Sequence, residues 1–374
     1  MYTRSNGISQ DASNQIVVRK VAVPQWTDAD LELPAEVRRK LADSVPEETR
    51  RKYDMWWGKA ARWCQSHGRT VLPMSTQTMT TWVDFLTTVV SVRTGEPYAV
   101  ASLNQAVAAI VSYHEAVEQS PPGTRQAREL IRAHGASLGR EVRRSSIITP
   151  DQLLDVVRLP QCNPRQDDPI RALVAARNRF MALVSFNAWD RRSEFVTANL
   201  NHFGVADQVL RWRFPKSKTD QAGKGADVFM PATGDELCPV QAFAFWRSAL
   251  AGRGVNDGRA LRRIDRWGHI YPALSGDGLN TLSKDLTKAA GCYVDGWGRT
   301  FTSHGWRASG YSAAKRAGAS AEAARRHGRW SETSGVPDRV YDRAQDPVQD
   351  NPMAAVTAAR RAAAGQGDAD TVTP

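Results

Sequence analysis

The sequence predicts a mainly α protein whose second half carries a small antiparallel sheet. Two patterns lead there. Apolar residues recur at helical spacing through residues 44–138 and again beyond 239. Between 195 and 231 lie short runs rich in β-branched and aromatic residues, broken by glycine and polar turns. At 374 residues, two domains are the natural expectation. The predicted divisions are a flexible arm at 1–34, a helical domain at 35–142, a mixed domain at 143–350, and a C-terminal helix with tail at 351–374.

Residues 1–34 mix polar and short apolar runs without a sustained period. Ser44 and Pro46 then announce a helix whose Tyr53, Trp56, Trp57, Ala60 and Cys64 fall on one face, with Arg50, Arg51, Lys52, Lys59 and Arg62 mostly elsewhere. Helices follow at 76–93, 99–117 and 124–138, punctuated by Gly68, Pro73, Gly95, Pro97 and Pro121-Pro122. Arg140 to Ser146 reads as a basic linker, and Thr149-Pro150-Asp151 as the cap of the next helix. A helix at 168–188 precedes strand-like segments at 195–200, 209–214 and 228–231, the last two separated by a glycine-rich turn at 221–225. Helices resume at 239–252, 278–290 and beyond 304, and no internal repeat at a spacing of 20 to 50 residues is visible. Residues 353–364 form an alanine-rich helix stopped by Gly365.

The chain carries 50 Lys and Arg against 39 Asp and Glu, a formal net charge of +11. With 24% charged residues and a mean hydropathy of −0.46, the composition excludes both a disordered chain and a membrane-embedded one. Nothing resembles a membrane span or the apolar core of a signal peptide, so the expected location is the cytoplasm. Cys64, Cys162, Cys238 and Cys292 are far apart, and the lone pairing of Cys64 with His67 lacks a second half, so buried thiols are expected. His67 and His114 read as structural. The basic surplus points to a polyanion, because Lys and Arg contacts to phosphate release condensed counterions.

Phosphate-binding glycine loops, HExxH and carboxylate clusters of the kind that hold Mg²⁺ are missing. Phosphate chemistry here would therefore run without metal or cofactor, its charge stabilised by Arg, Lys and His. Four short motifs offer such groups. In Asp190-Arg191-Arg192-Ser193-Glu194, a carboxylate three residues on can fix the Arg191 guanidinium. Lys216 and Lys218 sit at a predicted hairpin tip; His304 and Arg307 begin a helix one turn apart; and Arg329-Trp330 leads to Tyr341. Alone, each would equally fit a solvated helix end, a surface charge run or core packing. Between Arg299 and Arg343, however, nine basic residues face four acids, so the charge bias gathers at these motifs.

Taken in order, Arg with a following Glu, Lys on a hairpin, HxxR, Trp and Tyr resemble the tyrosine recombinases, the phage-type integrase family, over roughly residues 35–345. Ser217 to Gly225 and Cys238-Pro239-Val240 also look like family segments. The interval from Trp330 to Tyr341 is longer than the family usually shows. The resemblance implies a SAM-like core-binding domain first and an α+β catalytic domain second. It implies Arg191, Lys218, His304, Arg307 and Trp330 as the active-site shell, Glu194 as support and Tyr341 as nucleophile. DNA-binding candidates are Arg50, Arg51, Lys52, Arg140, Arg143, Arg144, Lys216 and Arg329.

The resemblance further implies site-specific recombination of double-stranded DNA through a 3′-phosphotyrosine intermediate, by a homotetramer on paired sites. A tyrosine phenol titrates near 10, so it needs cationic surroundings to attack at neutral pH. Arg191, Arg307 and His304 would bind the non-bridging oxygens and Lys218 would protonate the leaving oxygen. A type IB-like topoisomerase uses the same chemistry, and a non-catalytic DNA-binding regulator could keep the fold; the intact set of six residues argues against the latter.

Overall fold

The computed structural model describes residues 6–10, 16–20, 34–37, 40, 46–92, 94–139, 144–215, 225–337, 353, 356 and 359–362. It divides into two units, residues 1–142 and 143–374.

In the first unit, strands β1 (Asn6–Gln10) and β2 (Ile16–Lys20) pair antiparallel with Ile8 opposite Val18. The pair lies within the stretch expected as an arm; a backbone ladder satisfies its own polar groups without any apolar period. Helices α1 (Glu47–Ser66), α2 (Thr76–Thr88), α3 (Val100–Ala116) and α4 (Arg125–Leu138) follow. Helix α1 packs on α3 and α2 on α4. Trp56, Ala60 and Cys64 of the aromatic stripe are buried with Met79, Trp82, Leu103 and Ile110. Ser75 caps α2, and the helix stops at Thr88 instead of 93. The β-branched run there turns extended, and β3 (Val90–Ser91) pairs with β4 (Glu96–Pro97). His114 is structural: the Met74 N–H donates to its Nε2 at 2.8 Å, and its Nδ1 lies 2.7 Å from the Ile110 carbonyl, so Nδ1 carries the proton.

The second unit begins with α5 (Pro150–Arg158), closed by a capping box between Thr149 and Gln152. Its central helix is α6 (Pro169–Ala188), capped by Asp168 and enclosed along most of its length. Helix α7 (Arg192–Thr197) and a 3₁₀ turn at Leu200–His202 replace the strand expected at 195–200. The cause is local: Glu194 accepts the Arg191 N–H at 2.8 Å and closes a helical first turn that overrides the β preference of Phe-Val-Thr. The sheet starts later, with β5 (Phe203–Ala206), β6 (Val209–Phe214) and β7 (Ala226–Pro231) in that order, all antiparallel. Alternation buries Leu210, Trp212 and Phe214 on one face of β6, and Trp212 stands opposite Phe203 and Val228. These rings join Phe180, Phe195 and Phe243 in an aromatic core.

Helices α8 (Pro239–Ala251), α9 (Gly276–Ala289), α10 (Ser303–Arg316) and α11 (Ala321–His327) complete the unit, with α8 and α10 packed on α6. All four cysteines are buried. No helix among the described residues is long and apolar enough to cross a membrane. Of the predicted C-terminal helix, Met353, Val356 and residues 359–362 are described; they are helical and exposed.

Candidate active site

The site is assembled on the C-terminal end of α6. The last carbonyls of a helix lack intrahelical partners and carry its negative dipole end. Here three cationic or polar side chains from distant segments satisfy them. His327 Nε2 reaches the Asn187 carbonyl at 2.7 Å, and Arg329 donates to the carbonyls of Ala188 (3.0 Å) and Trp189 (3.2 Å). Arg307 Nη1 also donates to the Trp189 carbonyl. Trp189 itself is left-handed at φ 49, which turns the chain sharply out of the helix and into Asp190 and Arg191.

Glu194 then holds two guanidinium groups. Its Oε1 accepts from Arg191 Nη1 at 2.7 Å and its Oε2 from Arg329 Nη2 at 2.9 Å. Burial alone would raise this carboxyl, but Arg329 and Arg191 outweigh it and hold the group below the usual carboxylate range. Arg191 keeps part of its side chain in solvent, whereas Arg329 is enclosed, its guanidinium stacked 3.8 Å from the Phe214 ring. Arg329, one of the DNA-binding candidates, turns its fork to these carbonyls and to Glu194. Phe214 ends β6, so the strand leading to Lys216 and Lys218 terminates against this cluster.

Arg307 is 0% exposed. Besides Trp189 it donates to the Gly328 carbonyl at 2.7 Å, and its guanidinium lies 4.1 Å from the Trp330 ring. Through these bonds Arg307 clasps the 328–330 segment to the end of α6. His304, one turn earlier on α10, is exposed, so the HxxR motif divides between solvent and interior. Trp330 meets Tyr311 edge-on at 5.6 Å, and Tyr311 is buried. Gly328 permits this arrangement, since a Cβ there would collide with the Trp330 ring.

Asp190 is enclosed beside these groups, and its Oδ1 has no hydrogen-bond partner among the described residues. Burial pushes its carboxyl up to about 7 and the Glu194 charge adds to the rise, against a hydrogen bond from Ser185 and the nearby Arg329 and Arg307.

The structure thus brings Arg191, Glu194, Arg307 and Trp330 together, with His304 one turn from Arg307. Lys216, Lys218, Tyr341, Arg140 and Arg143 lie outside the described residues. Arg50, Arg51 and Lys52 are exposed on α1, Lys52 pairing with Glu48 at 2.9 Å, and Arg144 is half-buried. Sequence reasoning missed Asp190, His327 and the inward role of Arg329. Nothing in the local sequence marks these, because each acts through a carbonyl or charge more than a hundred residues away or through burial. A cavity of about 370 Å³ lined by Asn199, Phe203, Phe243, Arg247 and Asn256 shares none of these residues. Among the described residues no group of three or more His, Cys, Asp or Glu is placed to hold a metal ion.

No protein-family model matches the chain. It is 26% identical over 239 residues to an integrase/recombinase xerD homolog of Selenomonas ruminantium, covering 63% of this chain and 64% of that protein. The chain thus spans a little under two thirds of that curated relative. Among solved structures, it aligns with a lambda integrase dimer bound to a COC' core site at a TM-score of 0.51 and 16% identity, over 83% of this chain and 95% of that one. A Tn1549 transposon integrase in complex with transposon right end DNA aligns at a TM-score of 0.51 and 13% identity, over 88% and 98%. The chain has the tyrosine-recombinase fold. Within that fold, Arg191 lies between α6 and α7, α7 carries Glu194, and α10 carries His304 and Arg307.

Proposed function

We propose that this protein is a site-specific DNA recombinase that cuts and rejoins double-stranded DNA through a 3′-phosphotyrosine link. The observation that carries the reading is the clamped Arg191: a buried Glu194 fixes a part-exposed guanidinium at the end of α6, above an enclosed Arg307 stacked on Trp330. An arginine held in one orientation is preorganised to meet the charge that builds on a phosphoryl group, and the buried cations strengthen that field. In this reading Arg191, Arg307 and His304 bind the non-bridging oxygens and Trp330 walls the site. The phenol of Tyr341 loses its proton and attacks phosphorus, while Lys218 protonates the departing 5′-oxygen. Attack by the 5′-hydroxyl of a partner strand reverses the step, so the bond energy is conserved and no ATP is needed. The first unit would grip the duplex through the basic face of α1, with Arg140, Arg143 and Arg144 in the linker, and four copies would act on paired sites in the cytoplasm.

The test is covalent trapping on a nicked suicide duplex in excess chelator. The parent protein and Tyr311→Phe should form adduct. Tyr341→Phe should bind DNA and form none. Adduct mapped to Tyr311, or persisting in Tyr341→Phe, overturns the assignment, and an adduct that returns only with Mg²⁺ overturns the metal-free chemistry.

A further inference from the structure

Away from the site, one short motif occurs twice at a spacing of 30 residues: Ile264-Asp265-Arg266-Trp267-Gly268-His269 and Val294-Asp295-Gly296-Trp297-Gly298-Arg299. The two are wired alike. Each Asp Oδ1 accepts the N–H groups of the Trp (3.0 Å in both) and of the residue after the Gly (3.0 and 2.9 Å). Each Asp Oδ2 receives a ring or guanidinium nitrogen, His269 Nδ1 at 2.9 Å or Arg299 Nε at 2.8 Å. Each Gly is left-handed, at φ 85 and 74, and each turn is flanked by an antiparallel bridge. Both tryptophans project into solvent, 61% and 69% exposed. The expectation that the chain holds no repeat is corrected here: six residues are too few for a period to register, and it is the shared hydrogen bonding that identifies them.

The copies differ in what surrounds the tryptophan. In the first, exposed arginines lie on exposed rings: Arg266 is 4.1 Å from the Trp267 ring and Arg263 is 3.7 Å from that of Tyr271. Residues 253–271 hold five arginines and one histidine against two aspartates, and Asp265 is consumed inside the turn. In the second, Arg299 is tied back to Asp295, Gly296 stands where the first has Arg266, and Lys288 lies 4.9 Å from the Tyr293 ring. The first turn therefore presents a rigid, cationic and aromatic surface, and the second the same scaffold with no arginine preceding its tryptophan. A polyanion with flat apolar faces matches the first: guanidinium groups meet phosphates, and the indole lies against sugar or base. The chain leaving this hairpin reaches Arg192, the neighbour of Arg191 in sequence: a Cβ on Gly276 would lie 3.3 Å from Arg192 Nε, and Arg192 pairs with Asp277 at 3.2 Å.

We propose that the hairpin Arg263–Tyr271 is a second DNA-contacting element, a wing that grips the duplex beside the scissile phosphate through Arg263, Arg266 and Trp267. The proposal rests on the recombinase reading above. It is tested by duplex binding of the full chain across a salt series, comparing the parent with Arg263→Gln/Arg266→Gln, Trp267→Ala and Trp297→Ala. The double variant should bind roughly tenfold more weakly, and the slope of log affinity against log salt should flatten by about 1.8, two phosphates at about 0.9 each. Trp267→Ala should weaken binding with the slope kept, and Trp297→Ala should match the parent. A flattened slope is a readout that mere misfolding does not supply. Parent-like affinity and slope in the double variant overturn the wing, as does an equal loss from Trp297→Ala. A change in self-association by sedimentation, with single-duplex binding intact, would overturn it by assigning the surface to copy-to-copy contact instead. Failure of the parent to bind any duplex would sink the recombinase reading, and the wing with it.

Discussion

Arg329 and Glu194, 135 residues apart, meet at 2.9 Å with both side chains almost wholly enclosed. This one pair ties the segment after α11 to the turn that displays Arg191. Because Glu194 binds Arg191 on its other oxygen, the same carboxylate serves the interior and the solvent-facing side of the cluster.

The two roles separate by mutation. Glu194→Ala leaves Arg329 as a buried charge without its acid, which costs about 3–5 kcal/mol and should lower Tm by roughly 10 °C. Arg191→Ala removes the more exposed partner and should cost about 1 kcal/mol while abolishing adduct. Calorimetry and suicide-substrate trapping on the same preparations check both; a larger stability loss from Arg191→Ala would refute the division.

Asp190 makes stability depend on pH. Its carboxyl titrates at about 7 in the fold against a reference of 3.8, so between these values the native state binds more protons than the unfolded one. The contribution of Asp190 is therefore greatest below about pH 4, falls as pH rises toward 7, and is level above. A displacement of that size corresponds to about 4 kcal/mol. Asp190→Asn removes the titration, so its stability relative to the parent should improve between pH 5 and pH 8. Urea unfolding at the two pH values reads the gap directly, and an equal gap at both refutes the buried carboxyl.

Two glycines should respond oppositely to alanine. Gly58 lies within α1, where a Cβ would make only an ordinary 3.5 Å contact with Arg62, so Gly58→Ala should stabilise by about 1 kcal/mol. Gly310 lies where α10 crosses α6, and a Cβ would run into the Phe186 carbonyl and Trp189 Nε1. Gly310→Ala must part the helices and should destabilise by about 3 kcal/mol or more. Thermal melts of the two variants check the signs.

Much of the helical architecture was legible in local pattern. Trp56, Ala60 and Cys64 recur at the helix period and are buried, and the Thr149 cap sits where its side-chain oxygen can reach the next N–H groups. Such signals span a single turn. The strand expected at 195–200 failed because one specific bond, Arg191 N–H to Glu194, decides that turn, and β preference carries no information about it.

The sequence by itself determined the residue types and order of the motifs, the helical period of both halves and the surplus of positive charge, because these are properties of neighbours along the chain. Only the tertiary structure decided which arginines face water. Arg191 and Arg329 look alike as letters, yet one is held at the surface and the other is closed over the carbonyls of Ala188 and Trp189. The physical reason is that a guanidinium leaves water only where carbonyls and a carboxylate already converge, and that convergence exists only after α6, β6 and the segment beyond α11 have packed together.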